Sequence, residues 1–213
     1  MKTPTRSRKT NAKSKSRAAQ QDAIAMLKAD HRKVEGLFKK SEKASGSAKE
    51  KLVEQICSEL IIHTALEEEI FYPACRAEDV EEDKMDEAQV EHDGAKILIN
   101  DVMGADADSE GYDAKVKVLS EYIKHHVKEE EKPRTGVFAE AKRKGVDLDA
   151  LGEQIAERKE ALMAKAEQGA LPKPKPKMVG APGSDRGRQS SERGDGGALR
   201  NMALAAKRAA FGK

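Results

Sequence analysis

The sequence predicts an all-α protein, built as an antiparallel up-down four-helix bundle. Three observations predict it. Charged residues make up 37% of the chain and aromatics only 3%, with no Trp, so an extensive sheet lacks its preferred residues. Four stretches of about 20 residues place apolar side chains at alternating steps of three and four. Short loops rich in Gly, Ser and Asp separate them, and connections that short make neighbours antiparallel.

Residues 1–21 carry seven Lys/Arg, no acid and no bulky apolar residue, so they are expected to form a disordered basic tail. Their Arg- and Ser-rich character is shared with transit peptides, but the amphipathic face of such a peptide is missing. The bundle is expected over 22–145. Its first helix carries Ile24, Leu27, Val34 and Phe38 and ends near Ser41–Gly46. The second runs from about Ala48 to Phe71, with Leu52, Ile56, Leu60 and Ile70 in phase, and Pro73 is expected to end it. The third starts near Glu82, carries Met85, Ala88, Ala95, Ile99 and Val102, and stops at Gly104. The fourth starts near Asp113, carries Val116, Leu119 and Ile123, and reaches Glu131 before Pro133. A shorter additional helix is expected over 146–168, packed on the outside of the bundle. Asp147 would be its N-cap and Leu148, Leu151, Ile155 and Leu162 its stripe. Residues 169–213 read as a Pro/Gly-rich basic disordered tail, extended over Leu171–Lys177 and able to form a short basic helix near its end on meeting a partner.

The net charge of +2 hides a division. The first 21 residues carry +7 and residues 170–213 another +7, while 22–169 hold 23 basic against 35 acidic groups, or −12. Two basic tails thus flank an acidic core. Such tails suit non-specific contact with nucleic acid, each Lys or Arg neutralising a phosphate. The bland alternative is a solvated charge run, and the absence of interleaved aromatics argues against base stacking. No apolar run approaches a membrane span, and no secretory signal pattern opens the chain, so a cytoplasmic protein is expected. Cys57 and Cys75 are too few for a disulfide scaffold or a cysteine zinc site. No Gly-rich phosphate loop or Ser/His/Asp nucleophile pattern appears.

The histidines carry the chemistry. His31 continues the line of Ile24, Leu27, Val34 and Phe38. His63 and Glu67 continue that of Ile56, Leu60 and Ile70. His92 sits among Met85, Ala88, Ala95 and Ile99, and His126 and Glu130 follow Val116, Leu119 and Ile123. A single histidine on an apolar stripe is usually a satisfied core residue. Four at once, with roughly two in seven positions facing the core, arise by chance on the order of one time in a hundred. Counted from the helix ends at ~1.5 Å per residue, the four fall within about one turn of a common depth. Buried ionisable groups are costly unless paired or metal-bound. Imidazoles with carboxylates suit iron, manganese or zinc rather than calcium or magnesium. Six protein ligands are too many for tetrahedral zinc and too few to fill two octahedral ions. A two-metal site with carboxylate bridges and open positions is the expected reading. His125, about 100° round from His126, is expected outside the ligand set. Glu35, one turn after His31, is a possible extra ligand, and Glu68 and Glu129 are expected to face solvent.

This ordered set resembles the hemerythrin family, specifically hemerythrin-like or HHE cation-binding domains. The matching residues are Asp30-His31, His63-Thr-Ala-Leu-Glu67-Glu68 running on to Phe71-Tyr72-Pro73, Glu91-His92, and His125-His126-Val-Lys-Glu129-Glu130-Glu131. The resemblance implies a non-haem di-iron centre that binds or reacts with dioxygen or peroxide. The ligands it implies are His31, His63, Glu67, His92, His126 and Glu130, with Glu67 and Glu130 as bridges. Oxygen-carrying hemerythrins have a second histidine four residues after that of the third helix, where this chain has Lys96. That departure favours iron sensing, iron storage or redox chemistry over reversible carriage, and an oxygen, iron or redox sensor or scavenger is the expected function. A peroxide-consuming enzyme is the alternative that an open coordination position permits. Where relatives often read Leu-Phe-Pro after the fourth helix, Phe138 is expected to take the packing part.

Overall fold

In a computed structural model of the chain, residues 22–179 are described, and all the ordered elements are helices. The expectations for 1–21 and for 180–213, including nucleic-acid contact and the short terminal helix, lie outside the described residues. Helix α1 spans Ala23–Ser41 and α2 spans Gly46–Leu66. A π-helical segment, Glu67–Phe71, leads directly into α3, Tyr72–Ala77. Helices α4 (Glu82–Met103) and α5 (Tyr112–Glu130) complete the four long rods, followed by α6 (Val137–Lys144) and α7 (Leu148–Glu167). Asp22 caps α1 by accepting from the Ala25 amide at 2.7 Å, and Asp147 caps α7 through the Ala150 amide at 3.0 Å.

The rods pack in the ring α1–α2–α4–α5, and α1 closes on α5. Two apolar clusters show that neighbours run in opposite directions. One joins Val34 and Phe38, late in α1, to Val53 and Ile56, early in α2, with Ile99 and Val102 late in α4 and Val116 and Leu119 early in α5. The other joins Ile24 and Leu27 to Ile62 and Leu66 and to Met85 and Ala88. The histidines fall between these clusters, so the candidate site is a polar layer with apolar material at both ends. Helix α7 covers the outside of α1 and α2, burying Ile155 and Leu162.

Three details differ from the sequence expectation. Pro73 does not stop the helical path. In the π segment the Tyr72 amide reaches back to the Glu67 carbonyl, and Pro73 then sits in the first turn of α3, where a missing N–H costs little. Helix α6 was not expected, since eight residues are too few to show a clear period; Val137, Phe138 and Ala141 bury its inner face. Finally, the tail expected from residue 169 begins as a strap on the bundle. The backbone amides of Lys177, Met178 and Val179 all donate to Asp93 Oδ2, at 2.8, 2.5 and 3.0 Å. Asn100 donates to the Pro174 carbonyl at 2.9 Å. An extended Pro-rich strand makes no internal hydrogen bonds, so its amides are free for such a carboxylate.

Candidate metal centre

All six residues expected as ligands are buried in the layer between the apolar clusters. They form two donor groups, His31/His63/Glu67/Glu130 and Glu67/His92/His126, each within 4.8 Å. Glu67 belongs to both. Its Oε2 lies 3.2 Å from His63 Nε2, 3.2 Å from His92 Nε2 and 4.0 Å from His126 Nε2. Glu130 Oε2 lies 3.5 Å from both His31 Nε2 and His126 Nε2, so it too reaches across the layer. The imidazoles meet in pairs: the Nε2 atoms of His31 and His63 are 3.0 Å apart and those of His92 and His126 are 3.1 Å apart.

Opposite each Nε2, the Nδ1 atom faces a carboxylate. Glu131 is 2.8 Å from His31 Nδ1, Asp30 is 3.9 Å from His63 Nδ1, Glu68 is 3.1 Å from His92 Nδ1, and Glu91 is 2.8 Å from His126 Nδ1. Each of these acids is the chain neighbour of a core residue: Asp30 of His31, Glu68 of Glu67, Glu91 of His92, Glu131 of Glu130. One residue along a helix is about 100° of rotation, which turns the neighbour from the centre toward the next helix. So α1 serves the histidine of α2, the Glu67–Glu68 pair that of α4, α4 that of α5, and α5 that of α1. A carboxylate accepting from Nδ1, as at His31, His92 and His126, favours a proton there and turns Nε2 inward as the ligand atom, whereas His63 Nδ1 makes no hydrogen bond.

Glu68 therefore corrects the expectation that it faces solvent. Glu68 is half-buried with its side chain only 5% exposed, accepting from His92 and from Gln89 at 3.0 Å and pairing with the Lys96 ammonium. Lys96 also lies 3.5 Å from Asp93. Glu129 is exposed beside Lys132, and His125 is exposed beside Glu91. Glu35 pairs with Lys39 and Arg32 on the surface, away from the cluster. Cys57 and Cys75 are buried, unpaired thiols.

Tyr72 is a polar group in the layer that periodicity does not disclose. Its hydroxyl donates to Glu130 Oε1 at 2.8 Å and stands 3.4 Å from His92 Nε2 and 3.5 Å from Glu67 Oε2. In an α-helix a residue five positions on lies about 140° away. The wider π turn stacks Tyr72 on Glu67 instead, and Pro73 beside it was the one local signal of irregularity. Phe138 takes a packing role, its ring stacked 5.8 Å from that of His31 and edge-on to Phe71 at 5.5 Å.

Charge in the layer is unevenly shared. Burial, reinforced by the neighbouring His63, pushes the His31 pKa down to about 4. Burial also works against the His63 cation, but the Glu67 carboxylate outweighs it and lifts His63 to about 10. Burial and the adjacent Glu67 charge raise Glu130 to about 8. Burial opposes ionisation of Glu67 itself, yet His63 and His92 hold it well below the usual carboxylate range. Burial and the two carboxylates beside it push the Tyr72 phenol well above its ordinary value. Without a cation the layer thus keeps protons on His63 and Glu130. Glu67 Oε1 and Glu130 Oε2 remain buried with no hydrogen-bond partner, a costly state that a bound cation would relieve. Imidazole and carboxylate donors of this kind suit a transition-metal ion, and each of the two groups could hold one, with Glu67 common to both.

The profile of the family described as Hemerythrin HHE cation binding domain matches residues 22–133. The chain belongs to this family. The match covers the four long rods and every residue of the two donor groups, and it ends before α6, α7 and the strap. A hemerythrin HHE cation binding domain-containing protein from Mycobacterium kansasii has a similar fold, with a TM-score of 0.58 at 22% identity. The similarity covers 70% of this chain and 94% of that one. No curated protein is significantly similar in sequence. No helix of this HHE protein, among the described residues, is long and apolar enough to cross a membrane.

Proposed function

We propose that this HHE protein binds two non-haem iron ions in the His/Glu layer and acts as a sensor or scavenger of oxygen, iron or peroxide rather than as an oxygen carrier. The observation that carries this reading is Glu67, one buried carboxylate shared by two donor groups. Iron bound there would supply one-electron redox chemistry and coordination positions open to dioxygen or peroxide. The chain's own residues prepare the site. The carboxylates Glu68, Glu91 and Glu131 hold the imidazoles of His92, His126 and His31 by hydrogen bonds, and Asp30 faces His63 at 3.9 Å. Tyr72 donates a proton to Glu130 in a hydrogen bond. A cavity of about 10 Å³ touches all four histidines and is walled by Val34, Leu60, Ile123 and Val127, so the space beside the donors is small and apolar. A cleft of about 220 Å³ between α1 and α5 reaches His31 from outside, giving a small molecule a path.

Lys96 supports the departure from carriage. Its ammonium is committed to Glu68 and Asp93, so the position where carriers place a histidine offers no lone pair. Metal analysis and an absorption spectrum in air, after anaerobic reconstitution with iron, test the proposal. About two irons per chain are expected, with loss of iron in His63→Ala. Fewer than about one iron per chain, unchanged by that substitution, overturns it.

A further inference from the structure

The four outer carboxylates are not held alike. Glu131 is gripped from α1 itself, by Arg32 and by Lys28 at 3.5 Å, and Glu91 is met by His125 of α5 at 3.4 Å. Both supports come from within the four-rod ring. The other two are also held from outside it, although Glu68 Oε1 keeps Lys96 of α4 as well. Asp30 pairs with Lys159 of α7, and Glu68 Oε2 pairs with Lys177 of the strap at 2.9 Å. Asp30 and Glu68 face His63 and His92, the two histidines whose Nε2 atoms lie 3.2 Å from Glu67. One belongs to each donor group. Both lysines lie beyond residue 133, where the family match ends.

The attachments beneath these lysines are firm. Arg158, next to Lys159, makes two hydrogen bonds to Glu69 in the π segment, at 2.7 and 3.1 Å. The strap residue Lys177 is pinned by its own backbone amide on Asp93. Each lysine is thus delivered to a defined place, and each places a positive charge on the far side of a carboxylate that faces a core imidazole. A carboxylate so paired cannot swing away without separating an ion pair: Glu68 is held in hydrogen-bond range of His92 Nδ1, and Asp30 is held 3.9 Å from His63 Nδ1, where its charge faces the ring.

We propose that Lys159 and Lys177 are positioning residues for the two-metal site, one for each donor group, through which the segments C-terminal to the four-rod ring set its affinity. Lys159 acts through Asp30 on His63, and Lys177 through Glu68 on His92. The inference rests on the two-metal reading above.

The test is calorimetric titration of the full-length, metal-free chain with Co(II), resolving two binding steps. Lys177→Ala should weaken one step by at least tenfold and change the other less than twofold. Lys159→Ala should show the same selectivity for the opposite step. Lys177→Arg and Lys159→Arg should restore most of the affinity. The Lys177 side chain is 53% exposed, so Lys177→Ala should fold as the parent does, which thermal unfolding checks. A merely structural role would lower the unfolding temperature and leave both binding constants alike, or weaken both equally. Two normal steps in both alanine variants, or equal loss at both steps, overturn the proposal while leaving the two-metal reading intact. A parent chain that binds fewer than two Co(II) overturns that reading and this inference with it.

Discussion

At the scale of single residues, the layer turns on Glu67. It is ionised because His63 and His92 stand on either side, although it is fully buried. Glu67→Gln keeps the shape and removes the charge. The expected outcome is a drop from about two irons per chain to one or fewer, measured by metal analysis after desalting, with helical content unchanged. The protons on Glu130 and His63 lead to a second expectation. Their pKa values of about 8 and about 10 mean that both groups carry a proton at neutral pH in the metal-free protein. Metal ligands bind deprotonated, so loading must expel these protons. Affinity for Co(II) should therefore rise as pH goes from 6 to 8, and calorimetry in buffers of different ionisation enthalpy should register proton release. Binding with no buffer dependence would contradict this.

At the scale of elements, two short irregular pieces do more than the long rods. The π segment stacks Tyr72 over Glu67 and turns Glu68 toward α4. The turn after α5 brings α6 back against the site. Gly136 makes that return possible: a Cβ there would meet the Glu130 carbonyl at 2.3 Å and the Glu129 carbonyl at 2.7 Å, both rigid backbone. Gly136→Ala should cost at least ~2 kcal/mol, read as a lowered urea midpoint, since backbone and not a flexible side chain must move. It should also weaken metal retention, because Glu130 lies at the point of contact. On α7, Ile155 is fully buried against the second apolar cluster. Ile155→Ala should cost about 2–5 kcal/mol in the same measurement, as expected for a core truncation.

At the scale of the whole molecule, stability should depend on pH in a defined way when metal is absent. His63 has its pKa raised, so its contribution is complete below 6.5 and is lost as pH rises through about 10. Glu130 is also raised, so the unfolded chain loses that proton first and stability falls between about 4.5 and 8. Glu68 moves the other way, held down at about 2 although burial opposes it, by His92, Lys96 and Lys177. Its contribution is present above about 4.5 and is lost toward 2. His31, depressed to about 4, loses stability between 6.5 and 4. The unfolding temperature of the metal-free protein should thus peak near pH 5–6 and decline steadily from 6.5 to 10. Iron loading should flatten the alkaline side, since it replaces the protons that His63 and Glu130 otherwise hold. A metal-free protein that grows more stable from pH 7 to 9 would refute this assignment of charge.

The amino-acid sequence by itself determined the four rods and the set of six inward donors. Both follow from the α-helical period: three-and-four spacing decides which side of a rod is buried, and His63/Glu67 and His126/Glu130 are one turn apart on that side. The tertiary structure alone decided the rest. Tyr72 joins the layer only because a π turn breaks the period on which the sequence argument depends. Glu68 reads as a solvent-facing neighbour of Glu67 until α4 is packed beside it and its carboxylate meets His92. Lys159 and Lys177 stand 129 and 109 positions after Asp30 and Glu68 in the chain. Helical spacing relates residues within a few turns, so no local pattern connects pairs that far apart. Only the folding of α7 and the strap onto the finished bundle brings their charges to the carboxylates behind the site.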